Sequence, residues 1–239
     1  MLLMPIAVTA RVLLLDLDGT LVDTTAAVEA TWRAAAAELG VAFSTLASFI
    51  HGVPADQALA TALPALPAST RAAVAERLQA QQAAAEQPAT LLPGAPHLLE
   101  QLPGHSWAIV TSGGGRLAAA SMAKAGIPDP PVLVTADDVT HGKPDPAPYL
   151  AAAARLGVHP RDCLAVEDAP AGVAAGRAAA MRVLAVETTH PGRALEGADW
   201  VIPDLTAVVL HVHGPGFMPQ LKQHHSRLRA GAQAAREAN

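Results

Sequence analysis

The stretch Arg11-Val12-Leu13-Leu14-Leu15-Asp16-Leu17-Asp18-Gly19-Thr20 decides the fold class of this 239-residue chain. Its apolar run shows no polar alternation, which predicts a short β-strand covered on both faces. Asp18-Gly19-Thr20 is typical of a turn that ends the strand. Asp16 stands inside the apolar run, where burial of an ionised carboxylate is costly unless the group is paired or binds a metal. We therefore expect Asp16 to have a functional role.

Apolar runs of the same kind recur along the chain and alternate with alanine-rich helical segments. Further strands are predicted at 107–110, 132–134, 163–166 and 182–186. Helices are predicted at 95–102, 115–126, 146–157 and 170–180. Such alternation is typical of βαβ crossovers, which place the strands parallel. The sequence therefore predicts an α/β fold with a Rossmann-like parallel sheet and helices on both faces.

Residues 24–92 interrupt this alternation. Helical patterns over 24–39 and 69–87 end at Gly40 and Pro88, and no convincing strand lies between them. We therefore expect a small helical cap inserted after the first strand. The predicted organisation is core residues 1–23, cap residues 24–92, the rest of the core 93–210, and a C-terminal tail or helix 211–239.

Composition excludes several classes of protein. The chain has a formal net charge of −5 and no basic run, which argues against a nucleic-acid partner. Its one cysteine, Cys163, excludes an intramolecular disulfide and a multi-cysteine metal site. No apolar run reaches the length of about 18 residues that predicts a membrane span. Residues 1–8 lack the basic start of a secretory signal. We expect a cytoplasmic protein without a membrane partner.

Acidic side chains occur where the predicted strands end. Parallel strands have their carboxyl ends at one edge of the sheet, which is where ligands bind. Asp16 and Asp18 follow the first strand, and Glu167 and Asp168 follow a later one. At about 4 Å, each like-charge pair would cost about 4 kcal/mol at an effective dielectric constant of about 20. Oxygen ligands without His or Cys predict Mg²⁺ as the neutralising cation.

Two further segments supply groups that suit a phosphate. Only three of the 16 lysine and arginine residues are lysines, and Lys143 lies in the loop after a predicted strand. Its compact ammonium suits contact with both a phosphoryl oxygen and a carboxylate. Thr111-Ser112-Gly113-Gly114-Gly115, at another strand end, offers hydroxyl and backbone N–H groups for a phosphate. Thr111, Ser112 and Lys143 are the predicted phosphate-binding residues.

These motifs resemble those of the haloacid dehalogenase (HAD) superfamily, whose phosphotransferases use an aspartate nucleophile. The similar segments are Asp16-Leu17-Asp18-Gly19-Thr20-Leu21-Val22-Asp23, Thr111 within 109–113, Lys143, and Glu167-Asp168. The stretches 108–113, 142–150 and 166–173 are similar to bacterial sugar phosphatases and to yeast-type glycerol-phosphate and deoxyglucose-phosphate phosphatases. The resemblance covers nearly the whole chain up to residue 205.

The resemblance implies a role for each matching residue. Asp16 would attack phosphorus and form an aspartyl-phosphate, and Asp18 would act first as general acid and then as general base. Thr111 and Lys143 would bind the transferring phosphoryl group. The implied Mg²⁺ ligands are Asp16, the backbone carbonyl of Asp18, Asp168, and Glu167 directly or through water.

The carboxylate of Asp18 favours phosphoryl transfer over dehalogenation. Sugar-phosphate mutases of the superfamily carry a histidine in the first cap helix where this chain has Val28. This difference favours a phosphatase acting on small sugar or polyol phosphates. A phosphosugar mutase of the same superfamily and a catalytically silent HAD-like binding protein are the alternatives. The expected partner is a small phosphorylated metabolite, with the chain a monomer or weak homodimer.

The cap is the expected source of substrate specificity, because it would close over the phosphate and exclude water. His51, which precedes Gly52, is the preferred contact residue. The weaker candidates are Trp32, Arg33 and Gln57 in the cap and Arg116 after the phosphate-binding turn.

Overall fold

The computed structural model describes residues 6–7, 10–85, 89–102, 107–213, 216–221 and 227–228. The strands are β1 (Ile6–Ala7), β2 (Val12–Leu15), β3 (Val22–Asp23), β4 (Thr90–Leu91), β5 (Trp107–Val110), β6 (Val132–Val134), β7 (Cys163–Glu167), β8 (Arg182–Val186), β9 (Trp200–Ile202), β10 (Val208–His213), β11 (Gly216–Leu221) and β12 (Arg227–Leu228). The helices are α1 (Thr25–Glu38), α2 (Ala55–Ala62), α3 (Ala68–Ala84), α4 (Ala95–Glu100), α5 (Gly115–Ala125), α6 (Ala147–Arg155) and α7 (Pro170–Ala178). Among these described helices, none has the length and apolar character needed to cross a membrane.

The main sheet has seven strands in the spatial order β12-β9-β8-β7-β2-β5-β6. Neighbouring strands pair in parallel except β12, which is antiparallel to β9. β2 lies in the interior, with β5 on one side and β7 on the other, so the strand order changes direction at β2. The predicted α/β class is confirmed. In sheets of this kind, ligands bind beyond the carboxyl ends of the strands at such a switch point.

Alternate residues of β2 pack into two separate hydrophobic cores. Leu13 and Leu15 belong to a buried cluster that includes Met122 of α5. Leu14 belongs to a second cluster, which includes Tyr149 of α6. Because helices cover both faces of the sheet, every residue of β2 is buried. This double coverage explains why the strand is apolar without alternation.

Helices α1, α2 and α3 form a third hydrophobic cluster, with Trp32, Leu46, Leu59 and Leu78 buried in it. They lie between β3 and β4, which pair antiparallel. This two-stranded pair is separate from the main sheet, and it joins the start and the end of the helical segment. Helix α2 is an addition to the helices predicted for this segment. The boundaries assigned to a separate cap domain stay a prediction.

The C-terminal segment differs from the expected tail or helix over 211–239. β10 and β11 form an antiparallel pair, and β1 adds to the other side of β11. The β-branched residues of 208–213 favour a strand, and the Gly-Pro-Gly sequence at 214–216 is typical of a turn, which together are the local signals of a hairpin. Residues 214–215, 222–226 and 229–239 of the predicted tail lie outside the described residues.

Candidate active site

Three neighbouring strands bring distant polar residues to one edge of the sheet. Asp16 directly follows β2, Thr111 directly follows β5, and Glu167 ends β7 with Asp168 next to it. β7, β2 and β5 are adjacent and parallel, so their carboxyl ends meet. All four side chains are buried. The structure therefore brings together the acidic and hydroxyl groups that the sequence places far apart.

Lys143 lies at the centre of the buried charges. Its Nζ is 2.6 Å from Asp16 Oδ1 and 2.6 Å from Glu167 Oε1. It also donates a hydrogen bond of 2.8 Å to the carbonyl oxygen of Val110. Burial by itself lowers the pKa of the ammonium, but the carboxylates of Asp16 and Glu167 outweigh it, so the net pKa is raised. Lys143 is therefore positively charged in the folded protein.

The buried carboxylates exceed the positive charge that is paired with them. Asp16, Glu167 and Asp168 each place an oxygen within 4.8 Å of the others. In the described part of the chain, Lys143 is the one cation that forms an ion pair with this acidic triad. Burial, reinforced by the charges of Asp16 and Glu167, raises the pKa of Asp168 well above its usual value. Burial likewise raises the pKa of Glu167, to about 7, against the opposing charge of Lys143.

The charge and the ligand atoms of the acidic triad indicate whether the site fits a metal ion. With all three carboxyl groups ionised, one ammonium would leave two negative charges without a partner, and the raised pKa values of Glu167 and Asp168 reflect this excess. The ligand atoms are all oxygens, which is the donor set that hard divalent cations prefer. The acidic triad Asp16, Glu167 and Asp168 therefore fits a divalent cation.

Asp168 is oriented by neighbouring threonines. The Thr189 hydroxyl donates a hydrogen bond to Asp168 Oδ2 and lies 3.2 Å from its backbone carbonyl. The Thr20 hydroxyl lies 3.5 Å from Asp168 Oδ1. Gly19 has φ +86° and would, with a Cβ, collide with the Asp168 carboxylate. Glycine is therefore needed there both for its backbone conformation and for the close approach.

Asp18 lines a cavity together with Asp16 and Thr111. Its side chain is not part of the acidic triad found among the described residues. Burial and the neighbouring Asp16 carboxylate raise the pKa of Asp18 to about 6, although hydrogen bonds from Thr24 and Thr111 act in the opposite direction. A carboxyl group with a raised pKa suits proton transfer near neutral pH.

The turn after β5 connects the site to the helical segment. The Gly113 N–H donates a hydrogen bond of 3.0 Å to the Thr111 hydroxyl. The Ser112 hydroxyl donates one of 3.1 Å to the carbonyl of Gly52. Ser112 thus lines the cavity and at the same time contacts the loop that follows the 3₁₀ turn after α1. Arg116, one helical turn further, is exposed.

The specificity candidates of the helical segment occupy different surroundings. His51 lines the same cavity as Asp16, and its ring centre is 6.3 Å from that of His190 in an edge-on arrangement. Trp32 also reaches this cavity while packing in the helical core. Gln57 lines a neighbouring cleft instead, although His51 reaches that cleft too. Arg33 is exposed and forms an ion pair along α1.

Two residues outside the predicted site, Tyr149 and Thr189, support the charged centre. The Tyr149 hydroxyl donates a hydrogen bond of 2.6 Å to Glu167 Oε1, and its ring centre lies 5.3 Å from Lys143 Nζ. Tyr149 is the only tyrosine of the chain and lies in an alanine-rich helix, so the sequence already marks it as an unusual residue. Thr189 had no such signal, because it contacts Asp168 only through the tertiary structure.

Cys163 is buried in β7, and burial raises the pKa of its thiol to about 12.

Comparison with known proteins agrees with this geometry. Residues 10–180 match a family described as haloacid dehalogenase-like hydrolase. Hexitol phosphatase A of Escherichia coli (strain K12) is 42% identical over 199 residues, which are 82% of this chain and 92% of that protein.

Two further relatives align over similar lengths. 2-Deoxyglucose-6-phosphate phosphatase 1 of Saccharomyces cerevisiae is 33% identical, with 84% of this chain and 90% of that protein covered. Beta-phosphoglucomutase of Bacillus subtilis (strain 168) is 30% identical, with 84% and 94% covered. These similarities confirm the resemblance inferred from the motifs. The chain belongs to the haloacid dehalogenase-like hydrolase family.

Proposed function

We propose that this protein is a Mg²⁺-dependent phosphatase that hydrolyses monoesters of small sugars or polyols through an aspartyl-phosphate on Asp16. One observation carries the proposal: the Asp16 carboxylate is held by Lys143 Nζ at 2.6 Å and faces a cavity, beside two further buried carboxylates. The relatives named as hexitol and 2-deoxyglucose-6-phosphate phosphatases support this class of substrate.

Asp16 and Asp18 carry out the two halves of the proposed reaction. The Asp16 carboxylate attacks phosphorus and forms the new P–O bond while the bond to the sugar oxygen breaks. Asp18, whose pKa is raised to about 6, donates its proton to the departing alkoxide. Asp18 then accepts a proton from water, which attacks phosphorus, releases inorganic phosphate and restores the Asp16 carboxylate. Because the displacement at phosphorus occurs in two steps, Asp16 and Asp18 take part in each of them.

The remaining groups hold the phosphoryl oxygens and the nucleophile. Lys143 fixes the Asp16 carboxylate and offers positive charge to the transferring group. The Thr111 hydroxyl provides a hydrogen-bond donor, and the Gly113 N–H holds its oxygen in place. Asp16, the Asp18 backbone carbonyl and Asp168 would hold Mg²⁺, with Glu167 beside them. When bound, the cation supplies charge neutralisation for the phosphoryl oxygens.

Release of inorganic phosphate separates the phosphatase from the mutase alternative. We expect purified protein with Mg²⁺ to release phosphate from hexitol phosphates or sugar 6-phosphates, because Val28 lines the cavity where mutases carry histidine. The measurement is phosphate release across a panel of phosphorylated metabolites, with β-glucose 1-phosphate included. Conversion of β-glucose 1-phosphate to glucose 6-phosphate without release would establish the mutase. No turnover of any ester would establish the silent binding protein.

Removal of divalent cations is expected to lower kcat about 10³-fold. The loss of a bound cation costs several kcal/mol of charge stabilisation, and about 1.4 kcal/mol corresponds to a factor of ten. The measurement is phosphate release after treatment with EDTA and after addition of excess Mg²⁺.

Mg²⁺ should also raise the Tm of the protein, since a ligand at 100 times its Kd stabilises the native state by about 2.7 kcal/mol. Asp168→Asn should lose this thermal shift. Full activity in EDTA would contradict the metal assignment.

A further inference from the structure

Two glutamines of α3 line the same cavity as the proposed nucleophile. Gln79 and Gln82 are three positions apart, so they lie on one face of the helix. Both line the cavity that Asp16 and Asp18 reach, and both are partly buried. Amide side chains are suited to hydroxyl groups because each amide holds both donors and an acceptor. Which of these groups faces a ligand depends on the hydrogen bonds that the protein already makes.

The amide of Gln79 has its orientation set by Gly114. Gln79 Oε1 accepts a hydrogen bond of 2.8 Å from the backbone N–H of Gly114. A backbone N–H can only donate, so the oxygen of this amide must face it and the NH₂ group must lie on the other side. A Cβ on Gly114 would collide with Gln79 Oε1 and displace the amide, so the glycine permits this contact. Gln79 therefore has an NH₂ group available as a donor.

The amide of Gln82 is oriented the opposite way by Thr31. Gln82 Nε2 lies 2.9 Å from the Thr31 hydroxyl. That hydroxyl donates its own proton to the carbonyl of Val28 at 2.9 Å, so its oxygen acts as the acceptor. The NH₂ group of Gln82 must therefore face Thr31, and Oε1 is available as an acceptor.

We infer that Gln79 and Gln82 are specificity-determining residues that bind hydroxyl groups of the substrate, Gln79 as donor and Gln82 as acceptor. The inference rests on the proposed phosphatase function and assigns its substrate class: a phosphomonoester with at least two hydroxyl groups beyond the phosphate. The Gly114 contact joins α3 to the turn that follows Thr111. It therefore sets how far these amides lie from the phosphoryl group.

Gln79→Met tests the inference, because methionine keeps the length and helix propensity of glutamine without its polar atoms. We expect kcat/KM for a hexitol phosphate to fall by about 10- to 100-fold, mainly through KM, since lost hydroxyl contacts weaken discrimination. Hydrolysis of p-nitrophenyl phosphate, whose leaving group has no aliphatic hydroxyl, should fall by a smaller factor of about threefold, because that ester is affected only by loss of the Gly114 contact. Gln82→Met should behave in the same way. Gln81→Met, at an exposed position of the same helix, is the matched control and should change neither activity.

Deoxy analogues of the hexitol phosphate supply a sharper measurement. With the unmodified protein, kcat/KM for at least one deoxy analogue should be about tenfold lower than kcat/KM for the hexitol phosphate. With Gln79→Met, the two kcat/KM values should be equal. Equal losses on p-nitrophenyl phosphate and hexitol phosphate would overturn the inference, because Gln79 would then only dock α3 onto the turn. Calorimetric binding of hexitol phosphate to Asp16→Asn protein, with and without Gln79→Met, measures recognition without chemistry. Unchanged affinity there would also overturn it. Failure of the proposed function is distinguishable, since the unmodified protein would then hydrolyse neither ester.

Discussion

Asp16→Asn is expected to reduce the rate of phosphate release by about 10⁵-fold or more. The carboxamide has the shape of the carboxylate but is a poor nucleophile, so no aspartyl-phosphate can form. Loss of a nucleophile in an enzyme that forms a covalent intermediate is among the most damaging substitutions, with losses of about 10⁶-fold in kcat known. The measurements are steady-state phosphate release and acid-quench trapping of a phosphorylated protein with radiolabelled substrate. The unmodified protein should give a labelled aspartate and the variant should not.

Asp23→Asn is the matched control for this substitution. Asp23 lies in the same motif but is exposed, and its Oδ1 accepts a hydrogen bond from the Thr25 N–H that an asparagine oxygen can also accept. We expect activity within about threefold of the unmodified protein. Substantial activity of Asp16→Asn, or trapping of the label on another residue, would show that Asp16 is not the nucleophile.

Lys143→Met is expected to have the second-largest effect, on both stability and rate. Lys143 is 1% exposed and pairs at 2.6 Å with both Asp16 and Glu167. Removing one partner of a buried ion pair leaves the other charge uncompensated, which costs about 3–5 kcal/mol. Loss of a cation from a phosphoryl-transfer site lowers kcat by about 10³-fold or more. The measurements are urea unfolding with Mg²⁺ absent, and phosphate release with Mg²⁺ present.

The stability deficit of Lys143→Met should depend on pH in a defined direction. Burial already raises the pKa of Glu167 to about 7, and removing the ammonium raises it further. A carboxyl group whose pKa is raised by folding destabilises the native state once the pH exceeds its unfolded pKa. The deficit should therefore be larger at pH 8 than at pH 5, where the buried carboxyl groups take up protons. A deficit independent of pH would contradict the electrostatic cause.

Two further variants keep the test of Lys143 informative. Lys124→Met changes an exposed lysine and should alter the free energy of unfolding by less than about 1 kcal/mol and kcat by less than threefold. Lys143→Arg keeps the positive charge, so this variant should fold. The planar guanidinium is larger than the compact ammonium, however, and cannot occupy the same position between the two carboxylates. We expect Lys143→Arg to lose rate with less loss of stability. Normal kcat in either Lys143 variant would exclude a role in phosphoryl transfer.

The sequence by itself determined the fold class, the family and the set of chemically unusual residues. The apolar runs at β2, β5 and β7 can be recognised locally, because strands covered on both faces need apolar residues at every position. Asp16 stands out for the same reason, since a carboxylate is conspicuous within such a run. The C-terminal hairpin of β10 and β11 was missed, although its turn residues and β-branched pattern were visible.

Only the tertiary structure decided which groups touch and how each is oriented. The contacts of Tyr149 with Glu167, of Thr189 with Asp168 and of Gln79 with Gly114 join residues that are distant along the chain, or lie on different elements. Composition and periodicity report the environment of a residue but not its partner. A hydrogen bond depends on distances within a few tenths of an ångström, and those distances follow from how helices and strands pack. The chemistry of the residues is therefore local, whereas their cooperation in one cavity is a property of the fold.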